Sequence, residues 1–259
     1  MYLYFKELPA YLNELSDNIG LVTGLSVVVA QESQQKYGSP LSIKCQVNMG
    51  FSDTVNATGK LGEIAKESCM NVRSNFKNTF EEINAPRVSY EMHIQYIQTH
   101  SGVEGDSASL AMDIGLLSDF IKAPVNPHYA VTGSLAGDAV IAVGGVTEKI
   151  SSVMDPELNM IGVCVPWQNR KDIEPLLINT GAEIIAKDGV PGIRIYRSGG
   201  TSRSFDIYFC KKREDAYKVM LGMDMDSIGK KMYLRTFSDF KKLQDTPKTM
   251  EQSCCGLIK

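Results

Sequence analysis

The stretch from Glu104 to Lys149 constrains what this chain can fold into more than any other part of its 259 residues. It opens with a polar loop, Glu-Gly-Asp-Ser at 104–107, and continues through an apolar run with helical spacing. A tight hairpin follows, and the stretch closes with a double glycine and Val-Thr-Glu-Lys at 146–149. A hydroxyl after a glycine-containing loop and a lysine after a double glycine are the components of a serine nucleophile with a lysine base, so Ser107 and Lys149 are the candidate catalytic pair.

Lys149 can act as a base only if it is neutral near pH 7, which requires its pKa to fall by roughly three units from about 10.4. Its neighbours in the sequence are apolar: Val143, Val146 and Ile150. Burial among such residues penalises the ammonium form, and the positive end of a helix dipole adds to this. Glu104 and Asp106 are candidate supporting residues of the site, but a carboxylate near Lys149 acts in the opposite direction and raises the pKa of the lysine.

Ser107 is expected where a loop becomes a helix, so its backbone N–H and that of Ala108 are candidates for binding an oxyanion. Asp106 has two interpretations that the sequence leaves open, a cap of this helix or a participant in catalysis. His93 and His100 could suggest a histidine-based triad, but a lysine base makes both unnecessary. We expect the histidines to be structural or exposed.

The element pattern predicts an α+β (mixed α/β) fold. Strands are predicted at 21–30, 41–47, 92–97, 129–135, 140–143, 160–165 and 205–210, and helices at 7–17, 59–76, 107–120, 169–178 and 213–221, with a short helix from 147. We expect an N-terminal helix within 1–19, one domain at 20–221 and a C-terminal tail at 222–259 outside the core. Residues 181–204 are predicted to be an irregular exposed flap.

Composition excludes several classes of protein. The net charge of −3 gives no sign of nucleic-acid binding, and no apolar run is long enough to span a bilayer. No secretory signal is recognisable at the N-terminus. The six cysteines follow no zinc spacing, and those at 45, 164 and 210 fall in apolar strands, which is typical of buried free thiols in the cytoplasm. We expect no metal and no cofactor.

The pair Gly59-Lys60 superficially suggests a phosphate-binding loop. In that motif a glycine would have to stand at position 54 and a serine or threonine at position 61, where this chain has Thr54 and Leu61. We therefore expect no ATPase activity from this chain itself.

Four segments in order resemble the signature motifs of the Lon peptidase domain, closest to its B-type subgroup. They are 57–67, 104–109, 132–135 and 144–149, and the likeness runs from about Gly20 to Leu221. The resemblance implies the Lon proteolytic-domain fold, with Ser107 as nucleophile and Lys149 as general base. It also implies that Thr132 positions the lysine amine and that Asp106 flanks the nucleophile, although Thr132 alone would be read as an ordinary strand residue.

Lon enzymes carry an AAA+ ATPase module ahead of this domain, and no such module is recognisable after Met1. The resemblance therefore implies a cytoplasmic serine endopeptidase that is ATP-independent by itself and cuts unfolded or flexible proteins or one dedicated partner. It further implies a homo-oligomer, such as the six-membered rings of the family, or a separate ATPase or regulator. The chain is slightly shorter than the family pattern at the hairpin 136–138, beside the expected substrate groove.

Two other functions remain open from the sequence. One is a catalytically silent or latent Lon-like module that binds or regulates a partner, against which the intact serine and lysine argue. The other is a processing protease whose site is gated by the flap at 181–204 or the tail at 222–259.

Overall fold

A computed structural model describes residues 17–29, 35–97, 103–178, 181–196 and 204–245. Most of the helix predicted at 7–17 and the last fourteen residues, 246–259, lie outside this part. The strands are β1 Leu21–Val29, β2 Lys36–Met49, β3 Thr54–Thr58, β4 Tyr90–Tyr96, β5 Tyr129–Val131, β6 Ser134–Ala136, β7 Ala139–Ile141, β8 Gly162–Pro166, β9 Ala182–Lys187, β10 Val190–Tyr196 and β11 Ser204–Cys210. The α-helices are α1 Glu63–Glu82, α2 Ser109–Ile121, α3 Val146–Val153, α4 Glu174–Leu177, α5 Arg213–Met220 and α6 Met225–Asp245, and 3-10 turns occur at Pro156–Leu158 and Trp167–Lys171.

Nine strands form one mixed sheet in the order β3-β4-β2-β1-β5-β8-β11-β10-β9, and β6 and β7 form a separate hairpin. The first two strands form a hairpin, since β1 and β2 pair antiparallel from Leu21↔Lys44 to Val29↔Lys36. The central pairs β1–β5, β5–β8 and β8–β11 are parallel. The mixed α/β fold predicted from the sequence is confirmed.

The sheet separates two apolar cores. Adjacent residues on one strand point to opposite faces, and Ala130 and Val131 belong to different clusters, as do Val163 and Cys164. The larger cluster includes residues of α1, α2, α5 and α6, and the smaller one includes residues of α3. The helix after the candidate nucleophile and the helix that carries the candidate base therefore lie on opposite faces of the sheet.

The segment 181–204 differs from the prediction of an irregular flap. Its described residues form β9 and β10, which extend the main sheet beside β11, and Val190 and Ile195 are fully buried. Asp188 and Gly189 join the two strands with positive φ angles of 50° and 81°, as a two-residue hairpin turn requires. Of the described glycines of this segment, Gly189 serves the turn and Gly192 the close pairing of β10 with β11, where a Cβ would lie 2.6 Å from the carbonyl oxygen of Ile207.

The prediction that 222–259 lies outside the core is wrong for its described part. Helix α6 packs against α1 and α2, and Ile228 and Met232 are fully buried. Arg235 donates a hydrogen bond from Nη1 to the carbonyl of Phe120 at 2.8 Å and lies over that ring. The abundant lysines hid an apolar stripe with helical spacing on the opposite face of this helix.

Three smaller differences occur. Strand β3 at 54–58 was not predicted, and the helix predicted at 169–178 is a 3-10 turn followed by the short α4. The strand predicted at 129–135 is interrupted at Thr132 and Gly133, which leave the main sheet for the β6–β7 hairpin.

The four described cysteines (45, 69, 164 and 210) are buried free thiols, as predicted for three of them. Within the described ranges no helix is both long and apolar enough to cross a membrane.

Candidate active site

The candidate site lies at the carboxyl end of β5, where Thr132 follows the last residue of the strand. In open sheets with parallel strands, binding sites form at the carboxyl ends of the strands. Because β5 is a central strand, this position lies between the elements that cover the two faces. It is where the loop before α2 and the helix α3 can meet.

Ser107 is held by its backbone. Its carbonyl accepts hydrogen bonds from Thr132 Oγ1 at 3.2 Å and from Gly133 N at 2.9 Å. The following helix is tied back to the same linker, because Leu110 N donates to the carbonyl of Gly133 at 3.1 Å. The half-buried serine is therefore fixed relative to the end of β5.

Lys149 is buried, with 3% of its surface exposed, although it lies in the first turn of a short helix. Its Nζ donates a hydrogen bond to Thr132 Oγ1 at 3.2 Å. Burial lowers the pKa of Lys149 to about 8, and the charge of Asp106 acts against this by a smaller amount. The pKa of Lys149 is therefore lowered, as the sequence predicted, because the effect of desolvation is larger than that of the Asp106 carboxylate.

Gly145 allows Lys149 to be placed in this way. It caps α3 with a φ of 65°, in the left-handed region, and a Cβ there would lie 2.6 Å from Val27 Cγ2. On the neighbouring strand, Gly38 is the register partner of Val27, and a Cβ on Gly38 would lie 1.9 Å from the carbonyl oxygen of Glu148. The helix therefore packs directly against β1 and β2, and this packing removes water from the lysine.

Thr132 connects the candidate base to the candidate nucleophile. It is fully buried, and its N–H donates to the carbonyl of Cys164 on β8 at 3.0 Å. Its hydroxyl accepts from Lys149 and donates to the carbonyl of Ser107. Within the described part of the chain, Ser107 Oγ makes no hydrogen bond, so no bond joins it directly to Lys149 Nζ.

Asp106 does not cap helix α2, so the capping interpretation is wrong. Ala108 is the N-cap residue, and no side chain caps the helix. The Asp106 carboxylate instead accepts a hydrogen bond from Ser134 Oγ at 2.5 Å, on the β6–β7 hairpin. Its charge reaches Lys149, as the effect on the pKa of that lysine shows.

Glu104 lies apart from the pair, in contrast to its predicted supporting role. Its Oε1 accepts a hydrogen bond from the backbone N–H of Ile64 at 3.0 Å, in the first turn of α1. The contact is close enough that a Cβ on Gly62 would lie 1.3 Å from Glu104 Oε2. Glu104 therefore stabilises the start of α1 and makes no contribution to the pKa of Lys149.

The backbone around Ala108 has donors available for an anion. The N–H groups of Ser107 and Ala108 make no hydrogen bond to the described residues, whereas Ser109 N is taken by the carbonyl of Asp106 at 3.0 Å. These two donors stand beside the Ser107 hydroxyl at the start of α2. Such a pair can bind the oxyanion of a tetrahedral intermediate.

Sequence reasoning missed two side chains that fix the loop before Lys149. Asn169 accepts from Val143 N and donates to Val143 O, both at 2.9 Å, and Gln168 Oε1 accepts from Ala142 N at 2.8 Å. Asn169 is buried, with 3% of its surface exposed. A Gln-Asn pair one residue after the apolar strand β8 was the available signal, since buried amides satisfy backbone groups.

Of the two candidate histidines, the described one, His93, is not part of this site. His93 lies on β4 and shares a hydrogen bond of 3.4 Å with Thr58, and His100 lies outside the described residues. In the ranges that the structure covers, no three side chains of His, Cys, Asp or Glu stand close enough together to hold a metal ion.

Residues 4–190 match the family described as the Lon protease (S16) C-terminal proteolytic domain. The chain is also similar to proteins named archaeal Lon protease, with 40% identity to that of Thermoplasma acidophilum over 162 residues, 37% to that of Pyrococcus abyssi over 160 residues and 34% to that of Methanothermobacter thermautotrophicus over 178 residues. These alignments cover 60%, 60% and 66% of this chain but only 24%, 15% and 26% of the relatives. The chain thus spans at most about a quarter of the length of these curated relatives.

Proposed function

This chain belongs to the family of Lon protease (S16) C-terminal proteolytic domains, and we propose on that basis that it is a serine endopeptidase with Ser107 as nucleophile and Lys149 as general base. The observation that carries the proposal is the buried Lys149, whose pKa is lowered to about 8 and whose amine is joined through Thr132 to the backbone of Ser107. A lysine with a pKa near the working pH is partly neutral and can accept a proton.

In the proposed reaction, the neutral Lys149 amine takes the proton of the Ser107 hydroxyl as the oxygen attacks the carbonyl carbon of the peptide bond. The oxyanion that forms is bound by the N–H groups of Ser107 and Ala108. Lys149 then gives its proton to the departing amine, which leaves an ester between Ser107 and the substrate. Water, deprotonated by the same lysine, hydrolyses this ester and restores the serine.

Thr132 has two roles in this mechanism. It holds the lysine amine through an oxygen acceptor, and it fixes the carbonyl of Ser107. The Lys149 amine must pass from Thr132 Oγ1 toward Ser107 Oγ before the first proton transfer. Such contacts commonly tighten only when substrate is bound.

The substrates proposed are unfolded or flexible protein segments, or one dedicated partner, cut without ATP by this domain alone. A homo-oligomer, with the hexamer as one form, or a separate ATPase or regulator would control access to the site. The similarity to only part of each archaeal relative supports a peptidase domain. That this chain shares the activity or the assembly of a whole relative is part of the proposal.

The lack of a direct bond between Ser107 and Lys149 in the described structure favours a second candidate function. It is a latent or catalytically silent Lon-like module that binds or regulates a partner protein. The two candidates differ in whether Ser107 can become covalently modified.

The deciding experiment is cleavage of an unfolded protein such as casein without ATP by the wild type, Ser107→Ala and Lys149→Met. We expect cleavage by the wild type and a loss of at least about a thousandfold in both variants, because neither step proceeds without the nucleophile or the base. Lys66→Met is the matched control, since Lys66 is exposed and pairs only with Glu63 among the described residues.

Labelling of Ser107 by a fluorophosphonate separates the two candidates. A wild type that labels at Ser107 and cleaves casein supports the endopeptidase. One that labels but does not cleave until a partner is added supports the latent module. Cleavage that persists in Ser107→Ala would overturn the proposed nucleophile.

A further inference from the structure

Arg213 is a buried cation at the start of α5, with 5% of its side chain exposed. Its Nε pairs with Asp138 Oδ1 at 2.7 Å, and its Nη1 donates to the carbonyl of Asn75 at 3.4 Å. Its Nη1 also lies 3.6 Å from Asp113 Oδ1 on α2. One guanidinium thus joins α1, α2, α5 and the β6–β7 hairpin.

Two residues, Arg213 and Asn75, bind the tip of the β6–β7 hairpin. Arg213 N donates to the carbonyl of Asp138 at 2.9 Å, in addition to the side-chain pair. In addition, Asn75 Nδ2 donates to the carbonyl of Gly137 at 3.3 Å. Since Asp138 is itself exposed, its pairing with a buried arginine fixes the hairpin rather than fills the core.

The other end of the same hairpin reaches the candidate site. Ser134 is the first residue of β6 and is 8% exposed, and its hydroxyl donates to Asp106 Oδ2 at 2.5 Å. Asp106 directly precedes Ser107 and is the carboxylate whose charge acts on Lys149. A continuous path therefore leads from Arg213 through Asp138 and β6 to Asp106.

Arg213 is also held against the helix that follows Ser107. Tyr217 donates a hydrogen bond to Asp113 Oδ2, while Asp113 Oδ1 has no hydrogen-bond partner among the described residues. Arg213 supplies the positive charge facing this buried carboxylate. Because the carboxylate would be left unpaired without it, the arginine is fixed in one position.

We propose that Arg213 is a positioning residue, which holds the β6–β7 hairpin so that Ser134 keeps the Asp106 carboxylate away from Lys149. The inference rests on the proposed function and adds a residue beyond position 190, where the family match ends. Release of the hairpin frees the Asp106 carboxylate, whose charge already acts on Lys149, to approach the Lys149 ammonium. The base is then trapped as an ion pair and is not available to Ser107.

The test is the titration of Lys149, followed by NMR of protein carrying ¹³C-labelled lysine, with the signal assigned by its loss in Lys149→Met. We expect Asp138→Asn and Ser134→Ala to raise the pKa of Lys149 by the same amount, and the double variant to raise it no further, because both act on one carboxylate. Glu214→Gln is the matched control, since it removes a carboxylate from α5 that pairs with Lys218 at 3.1 Å and not with the hairpin.

Other charged residues on the elements packed around α3 do not shift the pKa of Lys149. Those elements are β1, β2, β8 and α4. Asp106 is the one charged group that shifts the pKa of Lys149 in the described structure. The charged residues that do not are Glu148 on α3 itself, Lys36 and Lys44 on β2 and Glu174 on α4.

A pKa of Lys149 that is unchanged in Asp138→Asn but raised in Ser134→Ala would overturn the proposal, as would shifts that add in the double variant. The rate of Ser107 labelling by a fluorophosphonate at pH 7 should fall about tenfold for each unit of the rise and recover above pH 9. Arg213→Met should behave as Asp138→Asn does, whereas Arg213→Lys keeps the charge without the planar fork and should retain more of the wild-type rate than Arg213→Met. A wild type that neither labels nor cleaves would overturn the proposed function, while the titration would still decide whether the hairpin controls Lys149.

Discussion

At the scale of single residues, the environment of Lys149 decides the chemistry that is possible. The lysine and the serine could be identified from the sequence because each stands in a glycine-containing motif. The Thr132 hydroxyl bonds both to the Lys149 amine and to the carbonyl of Ser107. This arrangement depends on tertiary structure, because the three residues come from separate elements. The same holds for Asp106, which is paired with Ser134 rather than with its own helix.

Thr132→Val should weaken both cleavage and folding. Valine keeps the shape but removes the acceptor of the Lys149 amine and the donor to the carbonyl of Ser107. We expect a loss of roughly 1–3 kcal/mol in the free energy of unfolding, since a buried amine is left without its partner, measured by urea denaturation. Cleavage of casein should fall at least about tenfold.

Thr132→Ser is the control for this change, because it keeps the hydroxyl and removes only a methyl group. It should retain most of the cleavage rate and lose less stability than Thr132→Val. Equal losses in the two variants would show that packing of the methyl, and not the hydroxyl, is what matters at this position.

At the scale of elements, α6 shows how a lysine-rich segment can still be core. Its buried residues are Ile228, Gly229, Met232, Thr236 and Asp239, one face of the helix. The opposite face carries lysines and exposed apolar residues such as Leu234, which is 66% exposed. Composition averages over both faces of a helix, whereas folding depends on one of them.

Met232→Ala should destabilise the protein by about 2–5 kcal/mol, because the side chain is fully buried and its removal leaves a cavity between α6 and the core. Leu234→Ala, two positions away on the exposed face, should change the free energy of unfolding by less than about 0.5 kcal/mol. Chemical denaturation of the two variants measures the difference. A Met232→Ala protein as stable as the wild type would mean that α6 does not belong to the cooperative unit.

At the scale of the whole molecule, one buried lysine links pH to stability. The folded pKa of Lys149 is about 8, below the ordinary value of 10.5 for a lysine. Between these values the unfolded chain binds a proton that the folded protein does not, so stability rises with pH across this window. Below pH 8 the burial of this ammonium opposes folding, a cost that comes from the same desolvation that prepares the proposed base.

The free energy of unfolding of the wild type should therefore increase by up to about 3 kcal/mol relative to Lys149→Met as the pH rises from 8 to 10.5. Urea denaturation of both proteins at pH 7, 8, 9 and 10 gives the difference directly. Lys149→Met should be the more stable of the two at pH 7, because methionine carries no charge to desolvate. A difference that does not vary with pH would show that Lys149 has an ordinary pKa in the folded protein.

The sequence alone determined the mixed α/β class, most of the strands and the two glycine-containing motifs, because apolar periodicity and turn chemistry are local properties of the chain. It did not reveal β9 and β10 as strands, although the Asp188-Gly189 turn was a readable signal, or α6 as part of the core. Tertiary structure decided which polar side chains meet. Asn169 reaches Val143, Ser134 reaches Asp106 and Arg213 reaches Asp138 only because parallel strands bring distant segments to one edge of the sheet. The direction of the pKa shift of Lys149 was expected from its apolar neighbours in the chain, but the burial that lowers this pKa to about 8 depends on how α3 packs against the sheet.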